Sequence, residues 1–297
     1  MIVSADSLAL AYKGFKAVFT EAHLEAPSNS DKIVMTVPSS SRDETYGWLG
    51  QFPAMREWVG QRQVKNLEAH SFTIKNRKFE STIAVSRDDI SDDRLGVFKP
   101  MFSEMGRNAR QHPEELVFNL LKSGFTANCY DSQFFFDVDH PVSDKDGNTT
   151  NVSNVQTGAG PNWFLLDTSR AIRPIIWQER EKYEFQQITK DGDEYVFRSD
   201  EYLYGIRARV NAGFGLWQLA FGSKAALDET NYAAARAAMM DYRTDGGRIL
   251  GVTPTVLVVP PSLESAALYL LNTEIKAGGG SNPWKGTAQL IVSPYVA

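Results

Sequence analysis

With 297 residues, 42% of them hydrophobic and 23% charged, the chain has the make-up of a globular protein large enough for one big domain or two ordinary ones. Its 36 acidic against 31 basic residues leave a net charge of −5, and no run of Lys or Arg supplies the basic stripe of a dedicated nucleic-acid binder. The single cysteine, Cys129, excludes an internal disulfide and a cysteine-based zinc site, and no apolar run or basic leader points to a membrane span or secretory signal.

Residues 4 to 24 carry Leu8, Tyr12, Phe15, Phe19 and Ala22 at alternating spacings of four and three, one face of an amphipathic helix. Ser4, Asp6 and Ser7 are candidates to cap it. The stretch from Pro27 to Asp43 is rich in Ser, Pro and Asn and is interrupted by Ile33 to Val37. It is either disordered or laid along another surface. Trp48, Phe52 and Trp58 follow without a core pattern, and such aromatics suit an interface or the underside of a loop. Residues 63 to 86 predict a long hairpin, with Phe72 and Ile74, then Phe79, Ile83 and Val85, alternating with polar residues around a turn near Asn76-Arg77. A two-stranded ribbon alone is marginal in water, so this one is expected to project and rest on a neighbouring subunit.

Residues 92 to 123 hold the longest helical pattern, with Leu95, Phe98, Phe102, Met105 and Ala109 continued by Leu116, Leu120 and Leu121. Pro100 fits a first turn, whereas Pro113 predicts a kink or restart near His112, where Glu114 and Glu115 suit a fresh N-terminus. From Ser143 to Asn162 the chain is polar and Gly-rich, which predicts a loop outside the folded core. The glycosylation triplets at Asn148 and Asn151 inside it are read as chance without a secretory route. Strands are predicted at Phe185 to Thr189 and Tyr195 to Phe197 around the Asp191-Gly192 turn, then at Tyr204 to Val210 and Phe214 to Phe221. A helix capped by Asp228 ends at Gly246-Gly247, a buried strand runs from Thr255 to Val259, and Pro260-Pro261-Ser262 opens another helix. Gly278 to Gly280 breaks the chain before a last strand, Gln289 to Val292.

Catalytic constellations are weak. Asp137, Asp139 and His140 form the most site-like cluster and would serve a metal-dependent hydrolase, but further ligands must come from elsewhere, and a turn closing a strand explains the residues as well. Gly278-Gly279-Gly280-Ser281 lacks the Gly-Lys-Ser/Thr ending of a phosphate loop, and Gly213-Phe214-Gly215 lacks a third glycine and helix. Ser262 reads as a cap and Cys129 as a small buried residue. No catalytic residue, cofactor or metal site is expected.

Several segments, taken in order along the whole chain, resemble the major head subunit of Mu-like tailed phages. They are Ser86 to Ile90 with Asp92 to Arg94, Pro113 to Phe118, Phe135 to Pro141, Glu201 to Gly205 and Asn211 to Trp217. The resemblance implies an α+β fold of the Hong Kong 97 type, with an N-terminal arm at 1–45, an extended hairpin loop at 46–90 and a peripheral domain with a spine helix at 91–165. Strands returning at about 200–220 and 286–297 would complete that domain, and 166–285 would be mainly axial domain. It implies a subunit that assembles into pentamers and hexamers of an icosahedral head around DNA. The implied partners are a separate scaffolding protein, a maturation protease, a portal, a decoration protein and non-specifically contacted double-stranded DNA, with no membrane. It would reside in the virion, and in the host cytoplasm during assembly. Expected assembly contacts are Leu8, Tyr12, Phe15, Phe19, Trp48, Phe52, Trp58, Lys75, Asn76 and Arg77, with the first four reserved for other parts of the shell. Another virion component, such as a tail protein, is the nearest alternative.

Overall fold

A computed structural model describes residues 4–50, 72–144, 146–276 and 279–297. In chain order the elements are α1 (Ala5–Glu25), β1 (Val34–Pro38), β2 (Asp43–Tyr46), β3 (Phe72–Lys75), β4 (Arg77–Ser86), α2 (Arg87–Ser91) and α3 (Lys99–Ser123). Then come β5 (His140–Ser143), β6 (Thr149–Val152), β7 (Val155–Gln156), β8 (Trp163–Leu166), β9 (Ile175–Ile188), α4 (Glu194–Ser199) and β10 (Glu201–Phe214). The last third holds β11 (Ala220–Ser223), α5 (Glu229–Met240), β12 (Val256–Val259), α6 (Glu264–Asn272) and β13 (Gln289–Val292).

Two sheets carry the fold. The first has order β1-β9-β10-β4, with β1 parallel to β9 and the other neighbours antiparallel. Along β10, Tyr202, Tyr204, Ile206 and Ala208 alternate inward, and β4 adds Ile83 and Val85. The side chains of α1 and α3 join all of these but Ala208 in one apolar core, and Ala208 belongs to the larger core around the second sheet. The second sheet has order β13-β12-β8-β11-β7. Its strands β8, β12 and β11 are buried at all four positions, so both faces are covered, in part by the buried sides of α5 and α6.

Local signals place most helices. Ser4 caps α1 through a reciprocal pair, in which its hydroxyl accepts from the Ser7 amide at 3.2 Å while the Ser7 hydroxyl accepts from the Ser4 amide at 2.9 Å. Asp228 caps α5, accepting from the Asn231 amide at 2.8 Å. Pro100 lies in the first turn of α3, as expected. The helix then runs unbroken through Pro113, where a restart was expected. An internal proline costs about 3 kcal/mol. Buried Phe102, Met105 and Ala109 before it, and Val117, Phe118 and Leu121 after it, hold the helix together across the proline, so the chain does not restart there.

Four expectations are corrected. Residues 72–86 are not a hairpin of their own: β3 pairs with β2, β4 pairs with β10, and Ile74, Ile83 and Val85 are buried within the subunit. The polar stretch after Ser143 holds β6, antiparallel to β5, and β7, which joins the five-stranded sheet, with Asn154 fully buried between them. Tyr195 to Phe197 lies in α4 rather than in a strand, capped by Asp193 and closed by Asp200 in the left-handed region. The stripe of α1 is covered by its own chain, as described below.

Candidate assembly surfaces and buried clusters

The seat of α1 is aromatic. Phe15 stacks on Phe102 with ring centroids 4.1 Å apart and meets Tyr204 edge-on at 5.1 Å. Phe19 packs against Phe185 at 5.4 Å. Leu8, Phe15 and Phe19 are buried here, and half-buried Tyr12 donates its hydroxyl to the Phe185 carbonyl at 3.0 Å. Close approach depends on Gly106 of α3, because a Cβ there would fall on the Phe19 carbonyl oxygen. Beyond α1, Glu114 of α3 accepts from the Ser28 hydroxyl at 2.9 Å and from the amides of Asn29 and Ser30. The stripe is thus satisfied inside the subunit. Expectation and structure differ because periodicity shows a face that needs cover but not what covers it.

The β2–β3 pair is fastened differently. Gln178, fully buried in β9, accepts from the Tyr46 hydroxyl at 2.8 Å and donates to the Ile74 carbonyl at 3.0 Å and to Asn76 Oδ1 at 2.9 Å. Asn76 in turn donates to Ser39 Oγ at 2.8 Å and to the Ser41 carbonyl at 2.9 Å. Burial, then the charge of Glu44, pushes the Tyr46 hydroxyl up to about 12, so it stays a donor. Ile74 lies over Gly213, where a Cβ would collide with its Cδ1. Of the expected contact residues, Asn76 is therefore buried and engaged, while Lys75 and Arg77 are exposed. Half-buried Trp48 stands edge-on to Tyr46 at 6.2 Å, and Phe52 and Trp58 lie outside the described residues.

Of the Asp137–Asp139–His140 cluster only His140 enters the core, while Asp139, its pKa raised by desolvation and then by its hydrogen bond to Asp137, stays beside that carboxyl. His140 is fully buried, with Nδ1 at 2.7 Å from Asp131, Nε2 at 3.2 Å from Asn154 Oδ1, and its ring stacked on Trp217 at 4.0 Å. The Cys129 thiol donates to the other Asp131 oxygen at 3.0 Å. Cys129, Asp131 and His140 are close enough to share an ion, their donor atoms lying within 4.8 Å of one another. Yet both Asp131 oxygens and both imidazole nitrogens are already engaged with protein partners. Burial and the adjacent Asp131 hold the thiol above its ordinary range, away from the thiolate a metal takes. Asp137 caps its own turn, accepting from the Val138 amide at 2.7 Å and the Phe134 amide at 3.1 Å. Asp131 and Asn154, the partners that matter to His140, stand in polar stretches without a periodic signal, so sequence alone gave no reason to single them out.

The family described as "Mu-like prophage major head subunit gpT" matches residues 8–296. The major capsid protein of Escherichia phage Mu is 45% identical over the full length of both chains. The chain belongs to the Mu-like family of major head subunits. The subunit in the procapsid of bacteriophage JBD30 superposes with a TM-score of 0.88 at 44% identity, covering 99% of this chain and 100% of that one. A JBD30 capsid "decorated with minor capsid protein trimers" gives 0.73 at 35% identity over 92% of each chain. This Mu-like head subunit therefore has the Hong Kong 97-type α+β fold, and its work is to form the shell of a phage head. It is a structural component of the virion, and no helix among its described residues is long and apolar enough to cross a membrane.

Proposed function

We propose that this subunit closes an icosahedral head from pentamers and hexamers around double-stranded DNA, and that it acts by assembly rather than catalysis. The observation carrying this reading is the superposition of nearly the whole chain on a procapsid subunit. The proposed division is an arm at 1–45, an assembly loop at 46–90, a peripheral part built on α3 and an axial part around the five-stranded sheet. Two details bear on it: β13 hydrogen-bonds to β12, while the C-terminal turn Pro294–Val296 packs back on α3. Partners under this reading are a scaffolding protein, a maturation protease, a portal and a decoration protein of the kind named for JBD30. Assembly would take place in the host cytoplasm. The net charge of −5 fits contact with DNA that is loose and sequence-independent.

Sedimentation and negative-stain microscopy of the expressed subunit with its scaffolding protein test the proposal. Closed shells with five-fold vertices are expected. Rings, tubes or a small fixed oligomer would overturn it.

A further inference from the structure

We propose that the buried hydrogen-bond network of Gln178, Asn76, Tyr46 and Ser39 aims the β2–β3 pair, so that these are positioning residues for shell formation. The inference rests on the reading that residues 46–90 serve assembly.

β2 and β3 form a separate two-stranded sheet of four residues each, outside both main sheets. Such a ribbon does not hold its own direction in water. Ile74, Tyr46 and Leu49 bury its root. Apolar burial is non-directional, however, and restricts tilt weakly. Hydrogen bonds weaken steeply off line, and a buried partner left unpaired is costly. Gln178 sits in β9 with a strand on either side, opposite Val37 of β1 and Asn211 of β10, so its backbone is held from both edges. From there one side chain reaches β2 through Tyr46, β3 through the Ile74 carbonyl, and the β3–β4 link through Asn76. Asn76 passes the connection to the β1–β2 link through Ser39 and Ser41, and Asn211 donates to the Lys75 carbonyl at 2.8 Å. Every segment entering or leaving the pair on its sheet side is thus tied to β9 or to its neighbour β10. A network that served stability alone would not need to reach all of them from one residue.

The test uses Gln178→Met and Asn76→Ala, with Tyr46→Phe as the mild variant should either fail to fold. Each is combined with Gly47→Cys, where a side chain meets nothing within 4 Å, for a nitroxide label; buried Cys129 does not compete. The expected result is folded subunits by circular dichroism, a more mobile label, and a yield of closed shells lower by about tenfold, the change that a loss of about 1.4 kcal/mol produces. Tyr46→Phe should show the same changes to a smaller degree. An unchanged label spectrum, or a mobile label with normal shells, overturns the proposal. A chain with residues 51–70 replaced by a Gly-Ser linker separates the two readings. If that chain forms normal shells, the assembly role of the segment falls, and the positioning role with it. If it fails while Gln178→Met assembles normally, only the positioning role falls.

Discussion

The two attachments to the four-stranded sheet use opposite physics. At α1, Leu8, Ala11, Phe15 and Phe19 meet Phe102, Met105 and Tyr204, and the closest contact is a carbonyl set against a glycine. At the β2–β3 root, Gln178, Asn76 and Ser39 are polar and buried, and each is bonded to another member of the network. The first arrangement supplies free energy in proportion to area and tolerates small shifts. The second supplies little net energy, about 0.5–1.5 kcal/mol per bond, but permits one geometry. An element that must stay put suits the first, and an element that must point in one direction suits the second.

The largest expected effect breaks the apolar side of this comparison. Phe15→Ala removes a ring that is 2% exposed, stacked on Phe102 and edge-on to Tyr204. It should cost about 3–5 kcal/mol, read as a fall in denaturation midpoint with early proteolysis of α1. A loss below about 1 kcal/mol would mean that α1 is not seated as described.

Gly106→Ala sharpens the same point through its sign. In an ordinary helix interior the change from Gly to Ala is favourable by about 0.5–1 kcal/mol. Here the new methyl collides with the Phe19 carbonyl oxygen and stands 3.1 Å from the His23 amide nitrogen. Backbone cannot yield as a flexible side chain can, so a net loss of about 1–3 kcal/mol is expected. The paired change Gly14→Ala on the exposed side of α1, where nothing lies within 4 Å of a Cβ, should instead raise the melting temperature slightly. Equal responses at the two glycines would remove the argument for a close approach.

Equal in size to the Gly106 change is a test on the polar side, at a third buried cluster. Burial alone would raise the Asp131 carboxyl, but the hydrogen bond and charge of His140, the Cys129 thiol and the Gln133 amide together hold it below the usual aspartate range. A depressed folded pKa stabilises above the unfolded value, about 3.9, and the contribution is lost as pH falls through the lower folded value. Asp131→Asn should therefore cost about 1–3 kcal/mol at neutral pH and flatten the acid branch of the stability profile. An acid branch as steep as that of the wild type would assign the acid sensitivity to other carboxylates.

Local order was largely legible in the residues. The three-four spacing and Ser4 define α1, Asp228 defines the start of α5, and the apolar runs around Val258 and Ile291 read directly as β12 and β13. Caps and periodicity act over one or two turns, so a short window contains their cause. Partners were not legible. The alternation around Asn76 marks two strands correctly, yet β3 turns to β2 and β4 to β10, because a side chain of each sort finds its complement only in the folded sheet. The same holds for β6 and β7, whose polar residues look like loop until Asn154 is seen bonded to Asp137, His140 and the Phe135 carbonyl. It holds for α1, whose stripe calls for cover that only tertiary contact with α3 supplies. The sequence by itself determined most of the helices, several strands and which faces are apolar, though not α4, β6 or β7. The tertiary structure decided what each face meets, because strand pairing and polar satisfaction depend on residues a hundred positions apart, as when Gln178 meets Asn76 and Ile74.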